Sequence, residues 1–170
     1  MKKNMSWISK VAIALNLLGT AMIVLMAVLV NVDILSRNIF NAPIAGVIEF
    51  ISLSIVSIVF LQIPNTIMER RHISNDILIN LLKNPSALKY LSLIYSLLGV
   101  VLMALIFINV LPNFLAEYRG NFYRGTAGLI EIPTWPFMLL VMVGSFFAIL
   151  QYLVEALGTF KSTDDTEKVA

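Results

Sequence analysis

The chain lacks the residues on which most enzyme and metal chemistry depends. It has no cysteine among its 170 residues, which excludes disulfides, thiolate zinc sites and thiol catalysis within it. It has one histidine, His72, which leaves little room for a catalytic triad or a histidine metal site. Charged residues make up 13% of the chain, about half the share of a soluble domain. The net charge of +2 is small and does not indicate the strongly basic surface that nucleic-acid binding requires.

Apolar residues are abundant instead. They make up 59% of the chain, and the mean hydropathy is +0.88. Four runs contain no charged side chain, namely 11–32, 50–68, 90–116 and 132–154. A helix of about 20 residues crosses a hydrocarbon core of about 30 Å. Because lipid offers the backbone no hydrogen-bond partners, we expect each run to be a transmembrane helix.

The sequence therefore predicts an all-α membrane protein with four transmembrane helices in a single domain over residues 1–160. The expected spans are about 11–36, 44–68, 88–114 and 133–156, and they leave no room for a separate soluble domain. The start, "MKKNMSWISK", is similar to that of a signal peptide, but the 22-residue run after it is too long and lacks a cleavage site. We expect an uncleaved first span. The polar residues 161–170 have no apolar face and are predicted to be a disordered cytoplasmic tail.

The distribution of lysine and arginine predicts the orientation. The N-terminus, the 69–89 connection and the C-terminal tail carry nine of these residues, whereas the 33–49 and 117–131 connections carry three. Loops rich in lysine and arginine stay on the cytoplasmic side of a membrane. Both termini and the 69–89 connection are therefore expected in the cytoplasm.

The segment "HISNDILINLLKNPS" (72–86) differs from the four runs because its apolar residues recur at helical spacing. Ser74 is a suitable N-cap, and Asn84-Pro85 ends the pattern. We predict a short amphipathic helix over about 74–83 that lies in the cytoplasmic interface. The alternative is an ordinary helical connection that packs on the bundle.

The stretch "RNIFNAPIAGVIEF" (37–50) places ionisable residues at both ends of a turn. Arg37 can pair with Asp33 four residues earlier, and Ala42-Pro43 favours a turn at 41–43. We predict that Arg37 reaches Glu49 across this turn and that the ion pair braces spans one and two. The alternative is a proton-coupled site at Glu49, since an acid within a membrane is functional by default. However, residues 50–68 already span the core, so Glu49 lies at its edge.

Three further features concern helix ends and packing. Pro133 and Pro136 suit the first turn of span four, and Trp135 suits the membrane interface. Small residues allow helices to approach each other closely. Scattered asparagine and glutamine side chains within the spans more often join helices by hydrogen bonds than line a transport path. These small residues are Ser92, Ser96, Gly144 and Ala148. The 117–131 connection combines glycines with aromatic residues, which fits either a mobile loop or a docking surface for a soluble partner.

Three stretches occur in a recognisable order along nearly the whole chain. "DILSRNIFNAPIAGVIEF" (33–50) has an Arg-x-x-Phe-Asn-x-Pro turn followed by a glutamate that opens a helix. "FLQIPNTIMERRHISNDILI" (60–79) has a Phe-Leu pair, then two arginines, His-Ile and an aspartate. "IPTWPFMLLVMVGS" (132–145) has an Ile-Pro-x-Trp start and a later glycine. Together they resemble the four-span small membrane subunit of tripartite ATP-independent periplasmic (TRAP) transporters.

This resemblance implies assembly rather than catalysis, so the chain is not expected to be an enzyme. It implies the non-catalytic small permease subunit of a sodium-driven secondary importer of organic acids, such as C4-dicarboxylates or sialic acid, in the bacterial cytoplasmic (inner) membrane. The implied partners are a large multi-span permease subunit, which carries the substrate and sodium sites and moves elevator-like, and a periplasmic substrate-binding protein. No cofactor is expected in this chain, and the sodium is expected in the large subunit.

The resemblance also assigns roles to residues. A structural or subunit-interface role is implied for Arg37, Asn41, Pro43, Glu49, Arg70, Arg71, His72, Asp76, Pro133, Trp135, Pro136 and Gly144. A docking loop for the binding protein is a further hypothesis, and it would use Tyr118, Arg119, Tyr123 and Arg124. Two other functions stay open: a self-sufficient, dimeric, proton-coupled transporter that uses Glu49, and a membrane-anchored assembly factor.

Overall fold

Four long helices and one short hairpin make up the fold. A computed structural model describes residues 7–81, 85–120, 123–124 and 132–167, and the side chains of 7–69, 90–120 and 132–158. The elements are α1 (Trp7–Phe40), α2 (Val47–Leu81), α3 (Pro85–Gly120), β1 (Tyr123–Arg124), β2 (Ile132–Pro133) and α4 (Trp135–Glu167). Each of the four helices contains a segment long and apolar enough to cross a membrane. The prediction of four transmembrane helices is thereby confirmed.

Two helices extend further than the sequence pattern predicted. A separate interfacial helix over 74–83 is not found, because α2 continues without a break to Leu81. The physical reason is that residues 65–84 contain no proline or glycine to interrupt the backbone hydrogen bonds. Similarly, α4 continues to Glu167 through most of the segment that was expected to be disordered. Lys161 precedes Asp164 and Asp165 by three and four residues, a spacing that stabilises a helix.

The helices pack in the order α1, α2, α4, α3. The helix α2 lies between α1 and α4, α4 lies between α2 and α3, and α2 scarcely contacts α3. In the spanning segments of α2 and α4, 33% of residues are buried, against 6% in α1 and 11% in α3. The central pair α2–α4 therefore forms the core, and the two edge helices expose broad apolar faces.

Pairs of neighbouring residues fix the direction of each helix. The ring of Phe50 lies 5.7 Å from that of Phe137, so α2 and α4 start at the same level and run parallel. The rings of Tyr118 and Trp135 are also 5.7 Å apart, which joins the end of α3 to the start of α4. We call the end with residues 40–47, 118–120 and 132–135 the hairpin end. The opposite end, with residues 69 and 90, is the α2–α3 end.

A glycine lies at each of the three interfaces between neighbouring helices. Gly144 of α4 contacts the backbone of Phe60, and a Cβ there would overlap the Phe60 carbonyl oxygen. A Cβ at Gly99 of α3 would lie 2.6 Å from the ring of Tyr152. A Cβ at Gly19 of α1 would lie 3.0 Å from Cγ of Gln62. Small residues let helix backbones approach closely in lipid, so these positions set the spacing of the bundle.

A serine makes a hydrogen bond between helices in the described part of the chain. The Ser57 hydroxyl of α2 lies 3.1 Å from the Phe137 carbonyl oxygen of α4 and also 3.1 Å from the Leu53 carbonyl oxygen of its own helix, so these two acceptors share its single hydrogen. The amides of Asn31 and Asn109 instead donate to carbonyl oxygens of their own helices, each at 2.7 Å. The expectation that amides join helices is therefore wrong at these two positions. Gly144, Ser96 and Ala148 are buried within the bundle, and Gly144 is in close contact with the backbone of α2.

The contact at Gly144 gives a first prediction. Gly144→Ala should lower the melting temperature in mild detergent. The free energy of unfolding should fall by at least the about 1–3 kcal/mol that is typical of overpacking. The reason is that the obstacle is a backbone atom, which cannot move aside. Phe60→Leu should not restore the loss, because the carbonyl group of residue 60 remains.

The matched control is Gly120→Ala, at the exposed end of α3, which should leave the melting temperature unchanged. Gly99→Ala should also destabilise the protein, but Tyr152→Leu should relieve part of that loss because the obstacle there is a side chain. Wild-type stability of Gly144→Ala would show that α2 and α4 are not in backbone contact.

Candidate functional site

A single carboxylate holds the turn between α1 and α2. Asp33 lies near the end of α1 and is only 6% exposed. Its Oδ2 accepts a hydrogen bond from Nε of Arg37 at 2.8 Å, within an ion pair whose second contact is also 2.8 Å. Its Oδ1 accepts a hydrogen bond from the backbone N–H of Ile44 at 2.9 Å. Asp33 thus joins the last turn of α1 to the chain that leads into α2.

The backbone of the turn explains its residue types. Asn41 has a φ of 49°, and Gly46 has a φ of 85°. This left-handed region is open to glycine and is tolerated by asparagine. The Ser36 hydroxyl donates to the Ala42 carbonyl oxygen at 2.6 Å, which secures the first half of the turn. Pro43 lies between the two left-handed residues, where its ring fixes the backbone angle φ.

The predicted ion pair between Arg37 and Glu49 is wrong. Among the described side chains, Arg37 pairs with Asp33, and Glu49 has no ion pair. The physical reason is proximity on the same helix, since residues four apart share one face. The sequence had already indicated that Asp33 and Arg37 could pair, but not that Asp33 would also bind the backbone of Ile44.

The two acids within the membrane-spanning segment of α2 lie at its two ends. Glu49 is in the first turn of α2, at the hairpin end, and is half-buried. Glu69 is the last residue of that segment. Its Oε1 accepts a hydrogen bond from Nδ2 of Asn65 at 2.9 Å. Between them, residues 50–68 contain no ionisable side chain.

The start of α4 differs by two residues from the prediction. Pro133 belongs to β2 and lies outside the helix, whereas Trp135 and Pro136 are in the first turn of α4. The reason is that β2 pairs with β1, with Tyr123 opposite Pro133 and Arg124 opposite Ile132. The helix then begins after the buried Thr134, whose carbonyl oxygen accepts hydrogen bonds from the N–H groups of the residues that open α4.

Aromatic rings tie α3 to α4 at the hairpin end. The ring of Tyr118 meets the ring of Trp135 edge-on at 5.7 Å and lies against the ring of Phe114 at 6.1 Å. Arg119 is in the last turn of α3 and is exposed. Tyr123 and Arg124 form β1, and their side chains lie outside the described residues. The candidate docking residues therefore come from one end of the bundle.

The remaining predicted residues lie at the other end. Arg70, Arg71, His72 and Asp76 are in the last part of α2, and their side chains lie outside the described residues. The structure thus places Gly144 in the middle of the α2–α4 interface, divides the rest of the predicted set between the two ends, and brings the set together nowhere as one site. No cluster of three or more potential metal ligands occurs among the described residues.

Sequence reasoning missed the contribution of Thr134, Gly99 and Tyr152. A threonine directly before Trp-Pro is a typical N-cap, so Thr134 could have been found. The Gly99–Tyr152 contact carries no such signal, because it depends on the register between two helices far apart in the chain.

The bonds of Asp33 give a second prediction. Asp33→Ala removes both the ion pair and the acceptor for the Ile44 N–H, so it should lower the melting temperature most. Asp33→Asn keeps an oxygen for Ile44 and loses only the ion pair, so it should fall between Asp33→Ala and wild type. Thermal unfolding in mild detergent ranks the variants.

Glu49→Gln is the matched control, because Glu49 has no ion pair among the described side chains. Its melting temperature should equal that of the wild type. If Glu49→Gln were as destabilising as Asp33→Ala, Glu49 rather than Asp33 would hold the turn.

Comparison with known proteins agrees with this arrangement. No curated protein and no solved structure matches the chain. The model of one protein family, described as the DctQ component of tripartite ATP-independent periplasmic transporters, matches residues 26–162. The match starts within α1, covers α2 and α3, and ends near the C-terminal end of α4. The chain is therefore a multi-pass membrane protein that belongs to the DctQ family, the small permease component of TRAP transporters.

Proposed function

We propose that the chain is the non-catalytic small subunit of a sodium-driven importer of organic acids, and that it holds the large transport subunit in the bacterial inner membrane. In this role it provides a fixed support, while substrate and sodium bind to its partner. The observation that carries the proposal is the backbone contact of Gly144 with Phe60 at the centre of the bundle.

This contact favours a supporting role because separation of the central helix pair would lose the close packing of the two backbones, on which helix association in lipid depends. The Ser57–Phe137 hydrogen bond and the Phe50–Phe137 ring contact extend the same interface to the hairpin end. A moving transport element needs two helix arrangements of similar free energy. A close backbone contact between two helices disfavours a second arrangement of that pair. The edge helices α1 and α3 remain available for a large partner, because most of their surface is exposed.

The positions of the acids also favour a supporting role. A proton-coupled site is expected within the membrane and in contact with a path for the proton. Glu49 lies at one end of the α2 span and Glu69 at the other. Self-sufficient transport through Glu49 is therefore the less favoured function.

Reconstitution of purified components gives the third prediction. Proteoliposomes with this chain alone should take up no organic acid. Uptake should require the large subunit, a sodium gradient and the soluble binding protein together. Glu49→Gln should retain most of the uptake of the complete system, because Glu49 is not part of a translocation path. Uptake by this chain alone that Glu49→Gln abolishes would establish the competing function.

Co-purification provides an independent check. A pull-down of the chain from its native membrane in mild detergent should recover a large, highly hydrophobic companion. Recovery of a homodimer alone would contradict the assignment as a subunit, and a companion without any transport activity would indicate an assembly factor.

We further propose that the hairpin end contributes to docking of the binding protein. Tyr118 and Arg119 are exposed there, and Tyr123 and Arg124 follow in β1. These tyrosines and arginines suit a soluble protein partner, because both residue types are enriched at interfaces. The positive-inside count predicts that this end faces the periplasm, where such a protein would arrive.

Charge reversal at this end gives the fourth prediction. Arg119→Glu combined with Arg124→Glu should raise the concentration of binding protein needed for half-maximal uptake by roughly tenfold, because interface charges govern association. The maximal rate should change little. Lys10→Glu, at the opposite end of the bundle, is the matched control. An equal effect of both changes would indicate altered insertion instead of docking.

A further inference from the structure

A groove lies between α2 and α3, where these two helices separate and Tyr152 of α4 forms the floor. Its volume is about 320 Å³. Val59 and Ile63 line the α2 wall, and Tyr95 and Met103 line the α3 wall. The groove exists because α2 and α3 both pack on α4 but scarcely contact each other. No part of the described chain fills it.

The groove occupies only one half of the membrane thickness. Its deep end lies near Val59 and Met103, which are close to the middle of their spanning segments. Its other end lies near Ile67 and Tyr95, within a few residues of the α2–α3 end. A helix of another protein would cross the whole membrane, whereas a groove confined to one half matches the length of a single lipid leaflet.

The lining of the groove becomes more polar from the middle of the membrane towards the α2–α3 end, as binding of a lipid requires. The part nearest the middle of the membrane is lined by Val59, Ile63 and Met103, which suit an acyl chain. Gln62, Thr66 and Tyr95 add hydrogen-bonding groups between this apolar part and the α2–α3 end. The Thr66 hydroxyl donates to the Gln62 carbonyl oxygen at 3.0 Å. The Thr66 oxygen can still accept a hydrogen bond, and the Tyr95 hydroxyl can donate to ester or phosphate oxygens.

Basic residues continue the same face of α2. Helix residues four apart lie above one another. The groove residues 62 and 66 are thus followed by Arg70, and 63 and 67 by Arg71, on a helix that is unbroken to Leu81. Beyond these arginines, Lys83 and Lys89 belong to the same connection.

The charges of the two ends differ in sign. The hairpin end and the α3–α4 connection together carry three basic residues, Arg37, Arg119 and Arg124, and four acids, Asp33, Glu49, Glu117 and Glu131. The other nine basic and six acidic residues belong to the α2–α3 end and the two termini, with Glu69 bonded to Asn65. Glu155 of α4 is among these acids. This end is therefore net positive, and a polybasic membrane face attracts anionic lipid headgroups.

We propose that the groove between α2 and α3 binds an anionic phospholipid. One acyl chain lies between Val59, Ile63 and Met103, the glycerol region reaches Thr66 and Tyr95, and the phosphate is bound at Arg70 and Arg71. The site belongs to this chain alone, so it does not depend on the proposed transport function.

Lipid binding by the purified full-length chain tests the proposal. Native mass spectrometry in detergent would compare phosphatidylglycerol with phosphatidylcholine of the same acyl chains. The wild type should retain phosphatidylglycerol with an apparent Kd about tenfold lower than that of phosphatidylcholine. Thr66→Phe fills the groove from an exposed position, so it should fold normally and weaken retention of both lipids. Leu98→Phe is the matched control, since Leu98 is 64% exposed on α3 and does not line the groove.

A second pair of variants separates the headgroup from the acyl chain. Arg70→Gln with Arg71→Gln should abolish the preference for phosphatidylglycerol, whereas Lys10→Gln should keep it. Ile63→Trp is a second groove-filling variant and should act like Thr66→Phe.

Three results would overturn the proposal. The first is equal retention of the two lipids by the wild type, and the second is unchanged lipid binding in both groove-filling variants. The third is that a groove-filling variant loses a co-purifying protein while its lipid binding is unchanged, which would show that the groove is a protein interface. Because binding is measured on the isolated chain, a failure of the lipid proposal leaves the transport proposal untouched, and the reverse also holds.

Discussion

The close contact of α2 with α4 is the constraint on which the rest of the structure depends. Gly144 admits the backbone of Phe60 because it has no side chain, and the Ser57 hydroxyl bonds the Phe137 carbonyl oxygen in the same interface. In lipid, helix association depends on packing and hydrogen bonds, since lipid chains are as apolar as the helices themselves. The α2–α4 pair therefore forms the core, and α1 and α3 attach to its two sides. Their exposed faces and the groove between α2 and α3 follow from this order.

The chain separates two tasks along the membrane normal. Small and apolar residues in the middle fix the distances between helices, whereas ionisable residues at the ends fix the turns. Asp33 shows the second task most clearly, because it binds both Arg37 and the backbone of Ile44. Such a division suits a subunit that keeps one shape beside a partner that moves. A transporter that works alone would place its ionisable groups on a path through the middle.

The sequence predicts the parts of this fold that depend on local pattern. Four uncharged runs indicate four helices because a membrane requires that length of apolar chain. The turn at Asn41–Pro43 and the first turn of α4 at Trp135–Pro136 follow from the restrictions that proline imposes. The partner of Arg37 could not be chosen from spacing alone, because Asp33 and Glu49 were both within reach. Similarly, the Gly99–Tyr152 contact and the groove depend on how α3 packs against α4, which no single segment encodes. The sequence pattern does not predict the extension of α2 past Glu69, because the apolar run ends at residue 68, whereas no proline or glycine in 65–84 interrupts the backbone hydrogen bonds.

The central claim is that the bundle keeps one shape while its partner transports. Since the chain has no cysteine, spin labels can be introduced at single cysteines in place of Val24 on α1 and Leu102 on α3, which are both exposed. Pulsed electron paramagnetic resonance on the assembled transporter would measure the distance between these labels without ligand, with sodium, and with sodium and substrate-loaded binding protein. The account predicts one narrow distance distribution that is the same in all three states. A shift of the distribution on addition of sodium or substrate would contradict it.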